Sequence, residues 1–438
     1  MNVVVVGAGL AGLTAARDLH ARGVVTTVLE ARDRVGGRTH GIEVTPGGWV
    51  DAGAAYLGDR HTALATMLAD LGLKTTPTTM TGNSRFALNG RAETRPGRFP
   101  PLDAVALGEL FDQLEELTER VVVEAPWSTP DAAAWDTLTA AEWAERSLRR
   151  TDARLFFPLF LGEMMAADPA AISVLHMAFY LRSGGGIRFL NAFAGGAQQD
   201  RVDGGAHQIC QAMAAELDVH LGEPVQAIHQ IGHSVIVYST RDSYRVDAVV
   251  VAVPPLLADA IEYQPGLPVP RVGPQTGRGG AVKVHLVYPE PFWRAQGLSG
   301  WTVSSRGPLL STVDDSPADG RVGVLTGFVT GREAYRFGAL PRNAQRRAAL
   351  NQAARLFPDR PPVIGFHVTD WVNDEYSRGC YAALFGPGDW VRHGPHLTTP
   401  HQRVHWAGTE TSTEFFGLME GAIRSGHRVA DEVLGRLR

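Results

Sequence analysis

The sequence predicts an α/β protein in which a nucleotide-binding unit of the Rossmann type is interleaved with a second, α+β unit. Three observations carry that prediction. The run Asn2–Val6 is apolar and β-branched, residues 11–22 have helical spacing with Gly23 as a stop, and 24–30 return to β character. Between the first strand and the helix stand Gly7, Gly9 and Gly12 in the order GxGxxG, with Glu30 closing the second strand. Strand-like alternation then returns far downstream, at 225–251, 281–288 and 322–329. It follows helix-like stretches at 102–123, 138–147 and 169–182, which are separated by Pro/Gly-rich joints at 96–101 and 183–187.

At 438 residues the chain exceeds one compact core. The pattern assigns 1–75, 200–275 and 396–438 to the nucleotide-binding domain, and 76–199 and 276–395 to the other. One more buried helix closes the chain, because Ala422, Ile423, Gly426, Val429, Ala430, Val433 and Leu434 keep a 3.6-residue period. Hydrophobic residues make up 44% and charged residues 20%, which suits a packed globular protein. A net charge of −5 offers no footprint for nucleic acid or an anionic membrane surface. No apolar run reaches the roughly 18 residues a membrane helix needs, and Pro254 and Pro255 interrupt the nearest candidate. The N-terminus lacks a cationic leader and reads as a strand rather than a signal peptide. Cys210 and Cys380 are the only cysteines, which excludes a disulfide scaffold and fits a reducing cytoplasm.

The motif glycines act in different ways. Gly7 turns the chain, Gly9 admits a pyrophosphate to the backbone, and Gly12 lets helix pack on strand. The helix N-terminus then favours phosphate charge. Glu30, 18 residues beyond Gly12, would accept a hydrogen bond from a ribose 2′-hydroxyl and repel a 2′-phosphate, which disfavours NADP. Arg32, Arg34 and Arg38 then bracket the pair Gly36 and Gly37, a second small-residue loop able to approach phosphate.

This segment resembles the flavin amine oxidase family, as does the later run from Ala407, Gly408, Thr409, Glu410 and Thr411 to Gly417, Leu418, Met419, Glu420 and Gly421. The resemblance spans nearly the whole chain and implies the family architecture, with FAD as cofactor. It places Gly7, Gly9, Gly12, Glu30, Arg32, Gly36, Gly37 and Arg38 on the adenosine and pyrophosphate half, Val225 and Ala252 beside the adenine, and Glu410 and Met419 toward the ribityl and ring end. Trp371 is carried over with the cofactor-binding residues. Independently, the terminal helix can aim its positive end at the part of the ring that gathers negative charge on reduction.

Lys74 and Lys283 are the only lysines among 41 basic residues. On its residues alone Lys283 reads as a solvated side chain on a half-exposed strand, sharing a face with Ala281, His285 and Val287. The resemblance, extended by Pro291 to Arg294, instead implies a catalytic lysine that holds a water at the flavin and assists reaction with oxygen. Cys380, within Tyr376, Ser377, Arg378, Gly379, Cys380 and Tyr381, resembles the cysteine joined covalently to FAD in monoamine oxidases. That role calls for a lowered thiol pKa, while the plain alternative is a small buried hydrophobe. Tyr381 resembles one wall of the aromatic cage that receives the amine. The opposite wall departs from the family, with Leu418 in place of tyrosine, and Phe415 and Phe416 read as core.

Tyr56, within Gly53 to Gly58, is expected to touch substrate. That segment lacks the arginine with which amino-acid oxidases of the superfamily hold a carboxylate, and Arg60 reads as surface, so a simple amine is favoured over an amino acid. HExxH, GxSxG and GxxxxGK[ST] are absent, and no metal site is expected. The expected reaction removes an α-hydrogen with its electron pair from a neutral amine to give an imine, which hydrolyses to an aldehyde or ketone, while O2 becomes hydrogen peroxide. The expected partners are thus a small primary or secondary amine and O2; a homodimer is open. Two rivals keep the scaffold: a desaturase like those acting on protoporphyrinogen or carotenoids, and a noncatalytic binding protein like the dissociation inhibitors of small GTPases.

Overall fold

A computed structural model describes residues 1–274, 276–317 and 320–436. Five parallel strands form its first sheet, in the order Asp218–His220, Val25–Leu29, Asn2–Val6, Ala248–Val251 and Val404–Trp406. Central strands of parallel sheets are covered on both faces and are therefore apolar throughout, and Ala248–Val251 is buried at every position. Val3, Val5, Ala248 and Val250 face the helices Leu10–Ala21 and Met419–Arg436. Val4, Val6, Val249 and Val251 face the other way, against the antiparallel strands Val225–Ile231, Ser234–Ser239 and Ser243–Val246.

The two helices lie close together because Gly426 has no side chain; a Cβ there would meet Ala11 O and Thr14 Cβ at 2.7 Å each. His427 with Asp18 (2.6 Å) and Arg22 with Asp431 (2.5 Å) tie their outer edges. The last helix of the chain is thereby fixed beside the first glycine loop.

A second sheet has seven strands, in the order Gly365–Asp370, Ala281–Tyr288, Gly323–Thr330, Ser311–Asp314, Leu298–Ser304, Asn83–Leu88 and Arg91–Pro96. Only the contact between Leu298–Ser304 and Asn83–Leu88 is parallel. Alternation sends Val282, Val284 and Leu286 into a core with Phe337, Ala349 and Ala353 from helices Gly331–Gly338 and Arg342–Leu356. The register pairs Lys283 with Phe328, and Phe328 with Ser311, on the opposite face. Helices Ala104–Glu119, Ala140–Ser147, Thr151–Met165 and Val174–Ser183 share a further core rich in aromatic side chains.

Several elements differ from their sequence reading. The stretch 225–251 is four strands, of which the first three leave the parallel sheet and pair antiparallel with one another in a separate sheet that Glu262–Gln264 joins in parallel. The stretch 169–182 divides into a 3-10 turn, Pro169–Ala171, and the helix Val174–Ser183, because Ser173 is extended and its hydroxyl caps His176 N–H at 3.1 Å. Helix Thr151–Met165 is not expected from sequence because it contains Pro158, a helix breaker in isolation. Among the described residues no helix is long and apolar enough to cross a membrane.

Candidate active site

A single cavity of about 380 Å³ runs from the first glycine loop to the Lys283 face of the seven-stranded sheet. At its nucleotide end lie Gly7, Gly9, Glu30, Arg32, Gly36, Gly37 and Arg38, with Val225 and Ala252. The glycines are there for different reasons. Gly7 has φ +102°, a conformation that side chains rarely adopt. Gly12 lies outside the cavity lining, and a Cβ on it would sit 2.0 Å from Gly7 O. Gly9 is constrained by neither: its φ is −82° and the nearest atom to an added Cβ is 4.0 Å away. Its missing side chain leaves open only the cavity itself.

Glu30 is buried, and its carboxylate accepts from Ala8 N–H at 2.8 Å and Arg32 N–H at 3.0 Å. These bonds aim it while leaving lone pairs for a hydroxyl. Arg32 is held by Asp374 and by the Ser377 hydroxyl. Helix Leu10–Ala21 begins at Gly9 with no side-chain cap, so its first N–H groups are free for an anion. An open-backed glycine, uncapped amides and an aimed carboxylate fit the pyrophosphate and ribose of FAD.

Arg38 joins the two ends. It donates to Glu410 twice, at 2.6 and 3.0 Å, and to Tyr381 O at 2.9 Å. Burial works against both charges, but each is held ionised by the other: the Glu410 carboxyl lies below its usual range and the Arg38 guanidinium above its own. Glu410, expected on the ribityl end, is therefore turned away from the cavity, which is lined instead by Gly408 and Thr409. Trp371 is likewise behind the wall, donating to Ala52 O at 2.8 Å.

At the other end Lys283, Cys380, Tyr381, Tyr56, Leu418 and Met419 all line the cavity. The strand Ala281–Tyr288 is buried at all eight positions, which removes the solvated reading of Lys283. Its Nζ donates to Asp51 O at 2.8 Å and Gly53 O at 2.7 Å, and sits 5.1 Å from the Phe328 ring centroid. Burial lowers its pKa, against the opposing pull of Asp315 and Asp51. Asp51 is itself pushed up by burial, to about 7.

Cys380 is 6% exposed, and burial pushes its thiol up to about 11, although Arg38 and Lys283 both favour the thiolate. The lowered pKa expected from sequence is not found, since two nearby cations do not offset removal from water. Phe415 and Phe416 are buried in the helical core. Arg60 is exposed, donating to Gly185 O at 3.1 Å.

Several lining residues carried no motif, among them one tyrosine and a cluster of four. Tyr180 of helix Val174–Ser183 reaches the cavity against Gly417, where an added Cβ would meet its ring at 2.9 Å. Arg98, Glu163, Phe193 and Trp301 gather at the wall away from the nucleotide end. Arg98 packs against the edge-to-face pair Phe193 and Trp301, at 4.4 and 4.3 Å from the ring centroids, and donates to Asn191 O at 2.5 Å, while its Nε is buried without a hydrogen-bond partner. Only the fold brings these distant positions together.

The family of flavin containing amine oxidoreductases matches residues 10–434. A Dictyostelium discoideum protein named Probable flavin-containing monoamine oxidase A is 35% identical, over 100% of this chain and 98% of its own. Among solved structures, cyclohexylamine oxidase from Brevibacterium oxydans is 32% identical with a TM-score of 0.94, covering 100% of this chain and 99% of its own. A putrescine oxidase bound to putrescine is 30% identical with a TM-score of 0.91, covering 100% of both chains. With the cavity described above, these similarities make the chain a member of the flavin-containing amine oxidoreductase family, an FAD-dependent amine oxidase that acts on small amines with O2.

Proposed function

We propose that the chain oxidises a primary or secondary amine at the Lys283 end of the cavity, giving an imine that hydrolyses to an aldehyde or ketone, and that O2 leaves as hydrogen peroxide. Bound FAD supplies the two-electron acceptor that no side chain of the protein can replace. Gly7, Gly9, Glu30, Arg32, Gly36, Gly37 and Arg38 hold its nucleotide half, with Val225 and Ala252 beside the adenine and Met419 toward the ring. Gly12, Trp371 and Glu410 support these from behind. On this reading 1–75, 200–275 and 396–438 carry the cofactor, and 76–199 and 276–395 the substrate.

One observation carries the assignment: Lys283 is a buried cation whose ammonium spends two N–H groups on backbone carbonyls and faces the cavity beside Cys380 and Tyr381. Anchored this way, Nζ keeps one donor for a water at the reacting site and places positive charge where oxygen gains electrons. Tyr381 and Leu418 form the walls between which the neutral amine is oriented, with Tyr56 nearby, and the apolar lining excludes bulk water. Cys380 Sγ is the atom assigned to covalent attachment of the cofactor. Two buried, unpaired cysteines suit a reducing cytoplasm.

A peroxide assay over a panel of amines, polyenes and porphyrinogens tests the function. Peroxide with amines alone is expected. Turnover of carbon frameworks without amines would transfer the chain to the desaturases, and light scattering on the same preparation reads whether it forms a homodimer.

A further inference from the structure

We infer that Asp315 is a positioning residue for the oxygen half-reaction: its carboxylate supplies the counter-charge that keeps Lys283 an ammonium at the cavity wall, and Arg201 limits its pull. This rests on the role proposed for Lys283 and adds the groups that govern its charge.

Both hydrogen bonds from Lys283 Nζ go to neutral carbonyls, and the Phe328 ring is its further neighbour. A buried ammonium held only in this way loses its proton readily. Its charge has to be answered from the layer behind it, which the sheet builds. Alternation places His285 on the face of Lys283, and the register sets Thr326 opposite His285 and Val313 opposite Thr326. Two residues after Val313 comes Asp315, whose N–H continues the ladder to Val324 O at 2.8 Å and whose side chain is buried.

That carboxylate is fixed through both oxygens. Oδ2 accepts from the Thr326 hydroxyl at 2.8 Å. Having spent its proton there, the same hydroxyl accepts from His285 Nδ1–H at 2.8 Å. Burial holds that imidazole neutral by lowering its pKa to about 3. Oδ1 pairs with Arg201, which stands opposite Tyr56 on the short strand Asp200–Val202. Burial works against the Asp315 charge, yet Arg201 and Lys283 hold its carboxyl below the usual range. Of the charged groups facing Lys283, Asp315 favours the ammonium most, followed by Asp51 and Cys380, while Arg201 opposes it. Asp51 loses its charge below about 7, so Asp315 then carries the negative charge of the layer.

The test follows the reaction of the dithionite-reduced, flavin-loaded enzyme with O2 between pH 6 and 10. In wild type the rate should fall as pH rises through the Lys283 pKa, and Lys283→Met should lack this limb. Asp315→Asn should move the limb down by about one pH unit or more, and Asp315→Glu should restore it. Arg201→Gln should move it up. A merely structural loss would lower the rate at every pH or shift both variants the same way. A limb that Asp315→Asn leaves in place or raises, or that Arg201→Gln leaves in place or lowers, overturns the inference and leaves Lys283 its role. The Arg201 variant decides where Asp315→Asn fails to fold. If Lys283→Met keeps the limb, the role of Lys283 falls, and this inference with it.

Discussion

Arg38 and Glu410, 372 positions apart in sequence, form a two-point ion pair in which Nη1 lies 2.6 Å from Oε1 and Nη2 lies 3.0 Å from Oε2. This pair binds the second glycine loop to the segment that leads into the terminal helix, and the same guanidinium holds Tyr381 O. Both ends of the cavity therefore depend on one buried contact.

Glu410→Ala should leave Arg38 buried without its counter-charge. A loss of about 3 kcal/mol is expected, the scale for breaking a buried pair from one side, read by urea unfolding of the flavin-loaded protein. The pair also sets an acid limit. The folded carboxyl lies below its unfolded value, so its stabilisation is present above the unfolded pKa and is lost as pH falls through the folded one. The difference in stability between wild type and Glu410→Gln should shrink as pH drops below about 4.5, the ordinary value of the carboxyl.

Gly9→Ala and Gly12→Ala should fail differently. An alanine at 12 drives its methyl into Gly7 O, and the first helix cannot seat on its strand. Loss of soluble folded protein or a fall in melting temperature is expected even without flavin. At position 9 the methyl meets nothing of the protein, so the apoprotein should melt as wild type does while flavin retention falls at least tenfold. Equal retention of flavin by Gly9→Ala would remove the pyrophosphate from that loop.

Cys380→Ala decides the linkage. After acid precipitation, yellow colour should stay with the wild-type pellet and pass to the supernatant for the variant. Colour in the wild-type supernatant would reject the linkage and leave FAD bound without it.

Lys283→Met should slow reoxidation of the reduced enzyme by O2, by about tenfold or more, while anaerobic reduction by amine changes less. Stopped-flow absorbance separates the two half-reactions. An unchanged oxidative half-reaction would refute the assigned role.

The first strand–helix–strand unit and the glycine loop are legible in sequence because their cues are local. A β-branched run, three glycines at fixed offsets and an acid at the next strand end are all set by neighbours within about 30 residues. Lys283 and Cys380 stand out against the usage of the rest of the chain, yet sequence does not decide whether that lysine meets water or a cavity. The strand alternates as a half-exposed one would; only helices packed on one side and Phe328, Asp51 and Gly53 on the other make it buried on both faces. The expectation of a lowered thiol pKa fails for the same reason, since desolvation depends on what surrounds a group from every direction.

By itself the sequence determined the strand, glycine loop and helix of the nucleotide cradle, because those rest on short-range spacing and residue type, while the cofactor class and the interest of Lys283 and Cys380 came from its resemblance to the amine oxidase family. Tertiary structure alone decided that Glu410 serves Arg38 rather than the cavity, that Tyr180 supplies an aromatic wall, and that Glu163 and Arg98 share a chamber with Trp301. Such groupings join residues tens to hundreds of positions apart, and their energies come from burial and distance, quantities that exist only once the chain has packed.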